Sequence, residues 1–290
     1  MRTIRTIGEI RAHVTRAREA GRSIGLVPTM GAYHAGHESL MRAARQACDE
    51  VIVSLFVNPT QFEDSGDLAA YPRDERADAA VAAGLGVDVI FAPPAEEVYP
   101  DGFVTSITVP GLSDVLEGAQ RGPGHFAGVC TVVAKLFNIV APDVAFFGQK
   151  DAQQVAVLRR MTSDLDFPVR IEALPTVREP DGLAMSSRNG RLSPGERLRA
   201  VALASALRAA EASLAAGEHD PARVRAAALA AMSPHDVAPE YLALVDPDSF
   251  QPLPSVNGRA LVAVAARVGE TRLIDNALIE TGDARVLPTP

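Results

Sequence analysis

The heptapeptide Val51–Val57, VIVSLFV, leaves this chain few folds to choose from. It is apolar from end to end except for Ser54 and rich in β-branched residues, with none of the alternation of a strand that shows one face to water. A strand of that kind needs apolar cover on both faces, which helices on both sides of a parallel sheet provide. The flanking sequence repeats the demand. Ile24–Thr29, Val87–Phe91, Asp143–Phe147 and Val169–Pro175 are similar short runs. Between them lie stretches with helical spacing: Gly36–Asp49, Asp74–Ala83, Gly128–Ile139 and Gln153–Met161. Repeated βαβ units predict an α/β, Rossmann-like parallel sheet with helices on both faces, whose ligands sit beyond the carboxyl ends of the strands. After Thr176 the pattern changes. Pro194–Gly217 reads as one long Ala-rich helix and Asp220–Met232 as another, followed by three strand-like runs, Tyr241–Val245, Ala260–Ala266 and Arg272–Ile279. We therefore divide the chain into an α/β domain, 1–176, and a smaller α+β domain, 177–290, with a small sheet.

Composition narrows the function. The net charge of −8 argues against a protein held on nucleic acid by overall charge, though not against a small anionic ligand that needs one local positive site. No run of about 18 apolar residues suggests a membrane span, and the charged N-terminal stretch lacks the apolar core of a signal peptide. Two cysteines, Cys48 and Cys130, are too few for a disulfide scaffold, and a cytoplasmic location is expected. Lys135 and Lys150 are the only lysines beside many arginines, so each is a candidate for a task that suits a compact point charge. Lys135, inside the apolar stretch VVAKLFNIV, reads as a snorkelling helix residue.

The densest chemical signal is Pro28–His37, PTMGAYHAGH, in which a strand runs into a glycine turn and then two histidines three residues apart at a helix start. That spacing puts both imidazoles on one face of the first turn, beside the unpaired N–H groups and positive dipole end of the helix. The pattern reads as a phosphate site. Its rival is a metal site, but the zinc-protease pattern needs i, i+4 spacing with a Glu between, and Ala35-Gly36 stands there instead. Asn58 and Gln61 follow the VIVSLFV strand, Gly148-Gln149-Lys150-Asp151 follows the strand ending at Phe147, and Met185-Ser186-Ser187-Arg188 lies in a polar loop past the boundary.

PTMGAYHAGH, SLFVNPTQF, FFGQKDAQQ and MSSRN, in that order, resemble the pantothenate synthetase (pantoate–β-alanine ligase) family of HxGH nucleotidyltransferases. The resemblance implies that ATP and pantoate form pantoyl adenylate and pyrophosphate, after which β-alanine attacks the acyl adenylate. It assigns Met30, Gly31, Ala32, Tyr33, His34, Ala35, Gly36 and His37 to ATP, with His37 as proton donor and His34 beside it on the phosphates. Gly148, Gln149, Lys150 and Asp151 also bind ATP, Lys150 through the phosphates. Val177 meets the adenine, while Met185, Ser186, Ser187 and Arg188 close on the β- and γ-phosphates as a flexible loop. Gln61 and Gln154 bind pantoate, with Asn58 and Arg121 at the substrate site; Asn58 also reads simply as an Asn-Pro turn, and His125 as structural. Mg2+ is expected on the ATP phosphates with no protein metal site, although Asp74, Glu75 and Asp78 form an acidic cluster able to reach it through water. Tyr33 stands where the family more often has leucine and is expected to narrow the pantoate pocket. A C-terminal domain that covers the site, and a homodimer, complete the expectation. The competing readings are another HxGH enzyme, such as a mononucleotide adenylyltransferase, and a catalytically silent nucleotide-binding protein.

Overall fold

A computed structural model describes residues 1–62 and 65–281. The chain divides into two units, Met1–Val177 and Arg178–Pro290.

The first unit runs β1 (Arg2–Ile4), α1 (Ile7–Glu19), β2 (Ile24–Thr29), α2 (Ala35–Ala47), β3 (Glu50–Leu55), α3 (Ser65–Ala69), α4 (Glu75–Gly84) and β4 (Val89–Phe91). It continues with α5 (Ala95–Val98), α6 (Glu117–Arg121), α7 (Pro123–Val140), β5 (Val144–Gly148), α8 (Ala152–Asp164) and β6 (Arg170–Leu174). The six strands form one parallel sheet in the order β1-β4-β3-β2-β5-β6. The inner strands divide their apolar residues between two cores, as the sequence demands. Leu26, Ile52, Phe91 and Phe147 pack on one face with Ile10 and Val14 of α1 and the apolar side of α7. Val27, Val53, Ile90 and Phe146 pack on the other with Leu40, Met41 and Ala44 of α2. The chain leaves β2 for one half of the sheet and returns through β5 to the other, so strand order reverses between β2 and β5. That crevice is where open α/β sheets bind ligands.

The 18 residues of α7 have a mean hydropathy of 1.3, and by length and composition it is the one described helix able to span a membrane. Its apolarity has a simpler cause: thirteen of those residues are buried inside the first unit. Lys135 points its ammonium over the Phe103 ring at 4.6 Å, so the lysine is held by an aromatic face as well as by its stem.

In the second unit the expected long helix is two, α9 (Pro194–Arg199) and α10 (Ala202–Ala215), followed by α11 (Pro221–Met232). Ala200 and Val201 keep right-handed dihedrals at the break, and the Leu203 N–H reaches back three residues to the Ala200 carbonyl, a local tightening no Gly or Pro announces. The three strand-like runs form an antiparallel sheet, β7 (Pro239–Val245), β8 (Gly258–Val268) and β9 (Thr271–Thr281). One face of β8 packs on Leu203, Leu207 and Met232.

Candidate active site

Three strand ends meet ligand territory: Thr29 of β2, Leu55 of β3 and Gly148 of β5. Beyond Thr29 the chain turns through Gly31 and Ala32, both in the left-handed region at φ 87° and 54°. Glycine suits the first position, and a Cβ there would lie 2.7 Å from an Asp78 oxygen. Ala32 is held against its own preference by a buried carboxylate. Asp78 Oδ2 accepts the Ala32 N–H at 3.0 Å and Oδ1 accepts the Tyr33 N–H at 2.9 Å. These two peptide N–H groups are already taken.

The histidines close the next donors. His34 is the N-cap of α2, and its Nδ1 accepts the Gly36 N–H at 3.1 Å. Nδ1 of His37 reaches back to accept the His34 N–H at 3.4 Å. An imidazole nitrogen that accepts from an amide carries no proton, so both rings are Nε2–H tautomers with that donor on the free edge. The ring centroids are 4.2 Å apart. Burial pushes His37 down to about 3, and the neighbouring His34 adds to the shift. Burial, followed by the Lys150 ammonium, lowers His34 as well. Both imidazoles are therefore neutral at pH 7. A neutral N–H there can donate a hydrogen bond to a phosphate oxygen.

Lys150 follows β5 in a 3₁₀ turn, Gln149–Asp151, and its ammonium lies 3.6 Å from Asp151 Oδ1. The lysine side chain is mostly buried and the aspartate half exposed, so the charge is partly offset by a carboxylate that water screens. Gln154, in the first turn of α8, is half-buried, and its side chain makes no hydrogen bond among the described residues. Its neighbour Gln153 is spent on structure: it donates to the Leu112 and Val115 carbonyls and accepts the Glu117 N–H.

Beyond β3, Pro59–Gln61 forms a 3₁₀ turn capped by Asn58. Asn58 is 1% exposed and fully engaged, donating to the Gly128 carbonyl and to Gln61 Oε1, both at 3.1 Å, and accepting from Tyr99 and Thr60. It is placed to orient Gln61. Gln61 Nε2 points to the Met30 thioether at 3.1 Å, a weak acceptor that a ligand oxygen can displace. Arg121 ends α6 close enough to His125 to help lower that imidazole.

Tyr33 is tied to the end of β2. Its hydroxyl bonds Thr29 Oγ1 at 3.3 Å, and burial raises the phenol well above its usual range. The acidic cluster has other work too: Asp74 caps α4, Glu75 pairs with Arg5 at 2.6 Å, and Asp78 holds the turn. Among the described residues no group of three or more His, Cys, Asp or Glu could hold a metal ion.

In the second unit, Arg178 makes a bidentate pair with buried Asp275 of β9, at 2.6 and 3.0 Å. Arg178 also bridges to Ala184, closing a hairpin that leads into Met185–Arg188. Ser186 caps the following 3₁₀ turn by accepting the Arg188 N–H, and Asn189 donates to Glu179 and to the Ala184 carbonyl. The loop expected to be flexible is braced at both ends. Val177 closes the first unit.

The switch point of the parallel sheet thus carries a histidine pair and a lysine. The family model described as pantoate–β-alanine ligase matches residues 2–278. The pantothenate synthetase of Moorella thermoacetica is 52% identical over 284 residues, 98% of this chain and all of that one. The pantothenate synthetase of Acidobacterium capsulatum is 54% identical over 291 residues, 96% and 97% of the two chains. The crystal structure of pantothenate synthetase from Thermus thermophilus superposes with a TM-score of 0.91 at 46% identity, covering 96% of this chain and 99% of that one. The Francisella tularensis pantoate–β-alanine ligase, solved with β,γ-ATP and β-alanine, gives 0.80 at 35% identity over 97% and 99%. The chain belongs to the pantoate–β-alanine ligase family.

Proposed function

We propose that this chain joins pantoate to β-alanine in two steps driven by ATP. In the first, a pantoate carboxylate oxygen attacks the α-phosphorus, the bond to the β-phosphate breaks, and pyrophosphate leaves pantoyl adenylate behind. In the second, the β-alanine amine attacks the acyl carbon, an amide bond forms, AMP departs on its phosphate oxygen, and the amine loses a proton to solvent. A carboxylate is a poor electrophile, so adenylation supplies the leaving group, and charge that develops on the phosphates must be met by fixed donors.

The observation that carries this reading is the pair of neutral Nε2–H imidazoles at the β2 end, His34 and His37, with Lys150 close by. They offer two neutral donors and one cation to a polyphosphate. Gln61 and Gln154 are proposed for pantoate, whose hydroxyls suit neutral amides, with Arg121 nearby. Gly148, Gln149, Asp151, Val177 and Met185–Arg188 join the proposal as ATP ligands on the strength of the matched motifs alone. Mg2+ is proposed to arrive on the ATP phosphates rather than on protein carboxylates. A cytoplasmic homodimer completes the proposal; the two free, buried cysteines suit a reducing compartment, and sedimentation equilibrium tests the dimer.

The test is pyrophosphate exchange into ATP with pantoate present and β-alanine absent. Exchange is expected to require pantoate, and His37→Ala to slow it roughly 100- to 1,000-fold, the usual loss for one oriented donor on developing charge. Exchange driven by a mononucleotide instead of pantoate would overturn the assignment.

A further inference from the structure

The first turn of α7 grips the 3₁₀ turn that carries Gln61. His125 Nδ1 lies 3.0 Å from the Gln61 carbonyl oxygen, and a carbonyl only accepts, so Nδ1 holds the proton. His125 is buried, and that burial, followed by the nearby Arg121 charge, holds it down to about 4, leaving a neutral donor at working pH. One turn further on, Gly128 allows the two backbones to touch; a Cβ there would meet the Thr60 oxygen at 2.4 Å. The Gly128 carbonyl accepts Asn58 Nδ2, which fixes the Asn58 amide one way round, and the Tyr99 hydroxyl donates to its Oδ1 at 2.9 Å. With Nδ2 aimed at Gln61 Oε1, the glutamine oxygen is occupied, and its Nε2 donates only to the Met30 thioether, a weak acceptor that a ligand oxygen can displace.

We propose that His125 and Tyr99 are positioning residues for Gln61: His125 holds its backbone, Tyr99 holds its amide through Asn58, and together they present Gln61 as a hydrogen-bond donor selecting an oxygen of the hydroxy acid. This rests on the reading that Gln61 binds pantoate. Neither side chain touches substrate. Each acts through a group 64 or 41 residues away in the chain, His125 on Gln61 and Tyr99 on Asn58.

The experiment compares His125→Asn, His125→Gln, Tyr99→Phe and Gln61→Ala in the full chain. The readout is pantoate-dependent pyrophosphate exchange, with melting temperatures taken in parallel. The asparagine amide nitrogen falls where Nδ1 sits, the glutamine nitrogen where Nε2 sits. His125→Asn is expected to keep the KM for pantoate within about threefold, and His125→Gln to raise it about tenfold with the KM for ATP unchanged, the worth of one neutral hydrogen bond. Tyr99→Phe is expected to raise it about fivefold, and carries the test if His125→Gln fails to fold. Adding His125→Gln to Gln61→Ala should cost nothing further, because the route to substrate is already gone. Equal damage from both His125 variants, equal rises in the two KM values, or additive losses overturn the proposal. A pantoate KM untouched by Gln61→Ala would remove the Gln61 reading and the proposal with it; a KM raised there but not by His125→Gln or Tyr99→Phe would remove the proposal alone.

Discussion

Asp78→Asn isolates the clamp under the histidine turn. Asp78 is 4% exposed and accepts two peptide N–H groups, one on each oxygen. Asparagine keeps one acceptor and replaces the other with an NH2 that faces an N–H. The loss is one charge-assisted hydrogen bond of about 1.5–3 kcal/mol, together with two opposed buried donors, for a total near 3 kcal/mol. For a unit the size of Met1–Val177 this lowers the melting temperature by roughly 6–12 °C. Activity should suffer separately. Ala32 sits at φ 54°, a conformation a non-glycine residue holds only under constraint, and His34 and His37 follow directly. A shift of about 1 Å at the imidazoles costs on the order of 100-fold in pantoate-dependent exchange. Thermal melts read the first effect, and exchange measured well below the melting temperature reads the second. The Mg2+ dependence discriminates: a clamp leaves the Mg2+ requirement unchanged, whereas activity restored by excess Mg2+ would make Asp78 a metal ligand. Wild-type melting and exchange within threefold of wild type would refute the clamp outright.

Two further outcomes follow from the same geometry. His37, lowered to about 3, should show no titration between pH 8 and 5 in nitrogen-resolved NMR, with a bare Nδ1 and a protonated Nε2; a midpoint near 6.5 would refute the assignment. Because its folded pKa is depressed, the unfolded chain binds more protons between about 3 and 6.5, so this group lowers stability as pH falls through that window. Gly128→Ala would add about 1 kcal/mol of helix propensity at an open site, but here a Cβ 2.4 Å from the Thr60 oxygen should destabilise by about 1–3 kcal/mol and raise the KM for pantoate. A more stable variant would show that the contact yields freely.

The strands of the large sheet were legible because each needs cover on two faces and so spells itself in apolar residues. β1 was not: Arg2-Thr3-Ile4 is a three-residue edge strand with one buried side chain. α1 was overlooked although Thr6 caps it and Ile10, Val14 and Ala17 recur at helical spacing, so its signal was present and unused. The break at Ala200-Val201 had no local mark. At the site, the motif residues were readable one by one, but their partners were not. Asp78 clamps Ala32 across 46 residues and His125 holds Gln61 across 64, distances at which only the fold decides who meets whom. Asn58 shows the same limit: the groups that engage its amide, Gly128, Gln61, Tyr99 and Thr60, come into view only in the fold.

The consumed backbone donors explain why the chemistry rests on side chains. A glycine turn entering a helix would normally bind phosphate through its own N–H groups. Here Asp78 takes those of Ala32 and Tyr33, while the two histidine Nδ1 atoms take those of His34 and Gly36. Imidazoles locked by their own caps offer fewer donors, but the Nε2–H groups are fixed in direction before ATP arrives, so no reorganisation is charged to the reaction. They are also neutral, and the Asp151 carboxylate 3.6 Å from Lys150 moderates the one cation among them. On the proposed ATP reading, such a site holds the ground-state triphosphate with restraint and gains most as negative charge builds on the departing pyrophosphate.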